Sequence, residues 1–185
     1  MKPSILIAPP TDSLVGIITK DSIRYGGRNF IRVWFRDPRF RAILILRIGQ
    51  NLEKRNFIFK SFLLLLLKNR LLLKYGLDTT FKVKIGGGLK IIHLGGIVIH
   101  GSSFIGHNAT INNNVTLGQS LRGKENSLKV PHIGNNVFIG VGSVLIGDIT
   151  LGDNVTVGAQ TLVNKSFDSN SIIVGIPGRL LKLKH

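Results

Sequence analysis

An aliphatic residue returns every six positions through the second half of this chain, at Ile133, Ile139, Leu145, Leu151, Val157 and Val163. A second small or branched residue follows four places on, at Val137, Ser143, Ile149, Val155 and Thr161. A helix repeats at about 3.6 residues and a strand at about 2, so neither imposes this beat. A coil with three flat sides of six residues does. The spacing predicts a parallel β-helix, each side a short strand pointing Ile, Leu or Val into a narrow core. Gly or Asn at the corners takes the positive φ that branched residues resist.

The same beat runs upstream through Ile99, Ile105, Ile111 and Leu117, with Ser103, Ala109 and Val115 as companions. Extended backwards it falls on His93, Gly87 and Phe81. From Leu117 to Ile133 the count is sixteen, which six does not divide. A polar, Gly-containing loop is therefore expected to leave the coil at about 118–131, either as a functional loop on a rigid scaffold or as a tolerated insertion.

Residues 1–77 have no such beat, so the chain divides into an N-terminal helical region, 1–77, and a β-helix, 78–185. In the first part, Leu14, Val15, Ile18 and Ile23 suit a short helix capped by Asp12 or Ser13. Phe30–Phe35 interleave with Arg28, Arg32 and Arg36 and are expected to dock on the protein's own core. Asp37-Pro38 opens a helix to about Lys54 with Phe40, Ile43, Leu44 and Ile48 on its apolar face. A further helix spans roughly 57–75. Its run of leucines is too short and too closely flanked by Lys60 and Lys68 to span a bilayer. It is either a buried or subunit-contact helix or a basic amphipathic helix resting on an anionic membrane. Gly175-Ile-Pro-Gly-Arg179 and the residues after it read as a turn and a basic tail.

The formal charge is +16, with 15 Lys and Arg against 4 Asp and Glu in residues 1–77 and 10 against 5 in the rest. Such a surplus draws anions: acidic lipid headgroups, a polyanionic glycan or coenzyme phosphates. Nucleic acid is disfavoured, since no recognition motif accompanies the charge. There is no cysteine, which rules out disulfides and thiol chemistry. The first apolar run is short and broken by prolines, so a cytoplasmic protein is expected, peripheral at the inner membrane face if the basic helices make lipid contact.

His93, His100 and His107 lie seven apart, and on a six-residue coil each step of seven rotates off the last register, so no metal site is expected. His93 stands out because glycines flank it, at Gly87, Gly88, Gly95 and Gly96. It is either a buried structural histidine or a reactive one.

The segment Gly88-Leu-Lys-Ile-Ile-His93-Leu-Gly-Gly-Ile-Val-Ile, then Val-Thr-Leu-Gly118 and a loop, then Pro131-His-Ile-Gly-Asn-Asn-Val, and finally Gly175-Ile-Pro-Gly-Arg179, resembles the hexapeptide-repeat acyltransferases. Within them it looks like the serine O-acetyltransferase-like group, closest to the acetyltransferases of bacterial exopolysaccharide assembly such as those for colanic acid. The resemblance covers about residues 75–182 and implies a left-handed β-helix, a homotrimer or larger assembly, and acetyl-CoA as co-substrate. It places His93 on the family's catalytic base and Asp78, fifteen residues earlier, on the aspartate that orients it. In that role the imidazole takes the proton of an acceptor hydroxyl, and the carboxylate fixes its tautomer and stabilises the imidazolium. Gly140, Val141, Gly142 and Ala159 fall on the groove that holds the coenzyme, and Arg179, Lys165 and Lys182 are candidates for its phosphates.

The sequence departs from serine acetyltransferases at Ile92, Lys129 and Val130, where charged groups grip the amino acid. With His132 facing the acceptor, these changes point to a sugar hydroxyl of a capsule, exopolysaccharide or lipid-linked glycan. The alternatives are a serine O-acetyltransferase of cysteine biosynthesis, a non-catalytic trimeric scaffold or glycan-binding module, and an N-acetyltransferase acting on an amino-sugar nucleotide.

Overall fold

The computed structural model describes residues 13–120 and 129–184. Four helices come first: α1 (Leu14–Ile23), α2 (Phe30–Arg36), α3 (Pro38–Glu53) and α4 (Lys60–Tyr75). Their starts follow local chemistry. The Ser13 hydroxyl accepts from Gly16 N, and Asp37 accepts from Arg39 N with Pro38 in the first helical position. Gly76, in the left-handed conformation, ends α4 and hands the chain to the first strand.

Every strand after Gly76 is short, and they sort into three sheets. The first holds β1 (Leu77–Asp78), β4 (Ile97–Ile99), β7 (Thr116–Gly118), β10 (Val144–Ile146) and β13 (Leu162–Val163). The second holds β2 (Lys84–Ile85), β5 (Phe104–Ile105), β8 (His132–Ile133) and β11 (Thr150–Leu151). The third holds β3 (Lys90–Ile91), β6 (Thr110–Ile111), β9 (Phe138–Ile139), β12 (Thr156–Val157), β14 (Ser171–Val174) and β15 (Arg179–Leu183). All pairings are parallel except β14 with β15. The chain thus winds through one sheet after another, as the six-residue beat requires. The companion positions, from Ser103 to Thr161, point inward and are buried with the aliphatic ones.

Register shows where the coil is not regular. Leu145 pairs with Val163, eighteen positions on, the expected three sides of six. Leu77 pairs with Ile97 and Ile91 with Ile111, twenty positions on, whereas Val98 pairs with Thr116 at the ordinary eighteen. The two extra residues therefore lie between Ile91 and Ile97. This corrects the backward extension of the beat: the inward positions of the first turn are Leu77, Val83, Ile85 and Ile91, and His93 and Gly87 are off the core register. Ile105 pairs with Ile133, twenty-eight on, so ten residues leave the coil between β7 and β8. Ser120 N donates to Lys129 O across the base of that departure; residues 121–128 of the expected loop lie outside the described residues.

One corner is an asparagine ladder. Asn108, Asn136, Asn154 and Asn170 have φ of 57°, 55°, 59° and 64°, and Asn108 and Asn154 donate side-chain bonds to the next asparagine of the column. Asparagine tolerates this conformation and gains a partner there, so these bonds reward it where glycine would gain none.

The helical layer covers the open end of the coil. Strands β1, β2 and β3 have no strand above them, and exposed edges of this kind invite further pairing. On and beside β2 and β3 side chains occupy them: Gln50 Nε2 donates to Val83 O, Arg47 to Ile85 O and Gly86 O, and Arg39 to Ile92 O, while Tyr25 Oη both donates to Ile91 O and accepts from Ile91 N. Asp21 accepts from Gly88 N and Leu89 N and pairs with Arg47 through Nε at 2.8 Å. At the other end β15 folds back against β14. What was expected as a basic tail is an antiparallel strand, because the last parallel strand otherwise has no neighbour.

Helix faces differ from expectation in two places. On α3 the buried residues are Phe40, Ala42, Ile43, Leu46 and Arg47, and Ile48 points outward. On α2 only Val33 is buried; Phe30, Ile31, Trp34 and Phe35 stay exposed rather than docking. Gly49 on α3 sits where an added Cβ would lie 2.2 Å from the Phe81 ring. Alanine in a helix interior ordinarily gains about 1 kcal/mol over glycine. Gly49→Ala is expected to reverse that sign, since Phe81 is buried and overpacking costs about 1–3 kcal/mol. A thermal melt reads the outcome, and a raised midpoint contradicts this packing.

Candidate active site

The two extra residues make His93. From Ile91 to Val98 the corner needs seven steps where Ile111 to Thr116 needs five, and the surplus carries His93 outward while Leu94 packs partly buried against the core. His93 is exposed, not buried against a hydrophobic wall as one sequence reading held. The backbone just before it is fixed from the helical layer: Tyr25 holds both groups of Ile91, and Arg39 Nη1 reaches Ile92 O at 3.1 Å. Arg39 is itself held by Asp37, with Nε at 2.9 Å from Oδ1. Burial pushes the Asp37 carboxyl up, but the bonds from Arg39 and its charge outweigh this and leave it below the usual aspartate value. Neither Arg39 nor Tyr25 was expected here. The only sequence signal was the Asp-Pro cap, which says where α3 starts but not what it touches.

Asp78 is exposed on β1, paired in register with Val98 of the strand that follows the His93 corner. It lines a cleft of about 380 Å³ with Thr80, Lys82, Val98, His100 and Ser102. The two candidate catalytic side chains thus flank the same sheet edge. Among the described residues no hydrogen bond or ion pair joins them, and His93 does not line the Asp78 cleft. Catalytic hydrogen bonds are often long before substrate arrives.

The coenzyme-binding candidates divide. Ile92 N donates to Ile111 O, Asn112 N to Ile139 O, Gly140 N to Val157 O and Gly158 N to Ile173 O, which stacks the His93 corner, Gly140–Val141–Gly142 and Ala159 in one column. Val141 lies directly over Ala159, since Gln160 N bonds Val141 O, and a Cβ on Gly140 would meet Ala159 N at 2.6 Å. Arg179, paired with Val174, stands at the foot of that column. Lys165 does not: it follows β13 at a different corner, with its ammonium over the Phe167 ring. Lys182 pairs with Ile172 within β15, away from the corner.

Of the acceptor candidates, Ile92 is on the His93 corner, whereas His132 lies on β8 in the second sheet, stacked on Phe104 with ring centroids 6.5 Å apart. Lys129 leads into β8 on that same side, and Val130 is buried. A single chain does not bring His132 to His93. His107 and His100 serve the backbone rather than chemistry: their Nδ1 atoms accept from Gly87 N and Ser102 N.

Residues 131–165 match the bacterial transferase hexapeptide family of six repeats. That match falls within the coil, from β8 to just past β13. The chain is 42% identical over 107 residues to the serine acetyltransferase of Staphylococcus aureus strain Mu50, covering 58% of this chain and 49% of that protein. It spans about half the length of the curated relatives it matches. A soybean serine acetyltransferase solved with serine superposes with a TM-score of 0.79 at 27% identity, covering 91% of this chain and 70% of that one. A serine acetyltransferase in complex with CoA superposes at 0.73 and 26%, covering 91% and 70%. The expected left-handed parallel β-helix behind an N-terminal helical region is the fold of these structures. The expected sugar acceptor is overturned, and with it the exopolysaccharide branch and a role in polysaccharide synthesis. These relatives and neighbours are serine acetyltransferases. Of the residues behind that expectation, Val130 is buried and Lys129 and His132 lie on the second-sheet side, while Arg39 and Asp37 of the helical layer place charge beside His93.

Proposed function

We propose that this chain is an acetyl-CoA-dependent serine O-acetyltransferase in which His93 is the general base and Asp78 the carboxylate that steadies it. The observation that carries the reading is the outward corner. A solvent-reaching imidazole stands at the head of the column of Val141 and Ala159, with Asp78 on the adjoining edge. His93 takes the proton of the serine hydroxyl as its oxygen attacks the thioester carbonyl. The tetrahedral centre collapses with loss of the C–S bond, and the imidazolium returns a proton to the CoA thiolate. The coenzyme arm lies along Gly140–Val141–Gly142 and Ala159, whose small side chains let it approach the main chain, and Arg179 supplies a cation for its phosphates.

A serine acceptor also has a charge partner in this chain. Arg39 is bonded to the Ile92 carbonyl beside His93 and is paired with Asp37, which sets one positive and one negative group near that corner. A zwitterion's ammonium and carboxylate complement such a pair; an uncharged sugar does not. We further propose a homotrimer, in which a neighbouring subunit brings its second-sheet face, with His132 and Lys129, to the His93 corner.

The deciding experiment is thiol release from acetyl-CoA with serine, with ethanolamine, which lacks the carboxylate, and with a hexose. Serine turnover well above both supports the reading. Equal turnover of serine and ethanolamine, or no serine-dependent release, overturns it.

A further inference from the structure

Helix α4 has two apolar faces, and only one of them is used. Leu71 and Tyr75 are buried, and Leu64 and Leu67 pack on the core. On the opposite side Phe62, Leu65, Leu66 and Leu73 are exposed, spaced as successive turns of a helix bring residues to one face. Ile58 and Phe59 in the turn before α4 are exposed as well, and the most open of these apolar positions are Ile58 at 94% and Leu73 at 83%. Asn69 sits mid-stripe, and Lys68 and Arg70 are its neighbours in sequence. Each is therefore turned about 100° from it, one along either border.

We propose that this stripe is a docking surface for an anionic lipid bilayer, on which α4 lies in the interface plane. Charge selects this occupant over a second copy of the chain. Helix α4 carries Lys60, Lys68, Arg70 and Lys74 and no acidic residue. Across the described helical layer Asp21 and Asp37 are committed to ion pairs, which leaves Glu53 as the one acid outside them. Two such faces brought together repel, whereas acidic headgroups meet both borders of the stripe. No described helix is long and apolar enough to cross a membrane, which fits a helix lying along the surface.

The test is flotation of the full chain with vesicles of phosphatidylcholine alone and with vesicles containing roughly one phosphatidylglycerol in three. The protein is expected to float with the anionic vesicles only, and to be released by salt. Lys68→Gln with Arg70→Gln is expected to weaken binding roughly thirty-fold, and Leu66→Ser with Leu73→Ser to abolish it. Both pairs are on the surface, and circular dichroism checks that they fold. Absence of anionic preference overturns the proposal. So does a Leu66→Ser and Leu73→Ser variant that ignores vesicles as the parent does but sediments as a smaller assembly, because the stripe is then a subunit contact.

Discussion

His93→Ala is expected to lower kcat for acetyl transfer by about 10²–10⁴-fold while leaving the unfolding midpoint where it was. Both halves of that outcome follow from one geometric fact. The ring rides on a corner two residues longer than the coil needs and is exposed, and among the described residues no backbone group uses it as a hydrogen-bond partner. The contrast is His107, whose Nδ1 accepts from Gly87 N; removing that ring leaves a corner amide without its partner and is expected to act on stability instead. Steady-state thiol release and thermal melts on the two variants separate the roles. A His93→Ala protein that turns over at the parent rate removes the mechanism. A His93→Ala protein that melts several degrees lower shows the ring to be part of the scaffold.

The largest stability effect is expected at Asp21. Its carboxylate is fully buried, as is the Arg47 guanidinium it pairs with, at 0% and 1% exposure. Asp21→Ala strands that cation in the interior, and removing one partner of a buried pair costs about 3–5 kcal/mol. Replacing both partners of a buried pair by apolar residues is often harmless, but not here. The pair also serves four backbone groups of the first coil, the amides of Gly88 and Leu89 and the carbonyls of Ile85 and Gly86. In Asp21→Leu with Arg47→Met all four lose these bonds, whereas either single change removes two of them and strands a charge. Denaturant unfolding of both singles and the double is therefore expected to give three losses of similar size. A double variant as stable as the parent contradicts this account.

Much of the fold was legible because the coil repeats. The buried aliphatic positions from Ile99 to Leu117 and from Ile133 to Val163 each announce themselves six residues after the last, and the caps at Ser13 and Asp37 announce their helices. The first turn of the coil was not legible for the opposite reason. Ile85 and Ile91 are six apart but two residues out of phase with Ile99, and the spacing alone does not say which of the two registers the core follows. Arg47 and Arg39 were missed because their partners are carbonyls 38 to 53 residues away in sequence, and nothing about an arginine on a helix says which strand it will meet. Of the site, the column of Gly140, Val141 and Ala159 could be read from a repeat of eighteen. His132 and Lys165 could not be assigned to a face by spacing alone, and the structure puts each on a side other than that of His93.

The reversed direction of β15 bears on how this molecule keeps to itself at high concentration. A rod built of stacked parallel turns is one strand away from growing end to end, since any copy presenting another parallel turn would continue it. Here the arriving copy finds a final strand whose amides and carbonyls come in the alternating close and wide pairs of an antiparallel ribbon. At the far end it finds arginine, glutamine and tyrosine side chains already seated on the carbonyls it would need. The polymer has no first step at either tip, so neighbours are left to meet along the flanks.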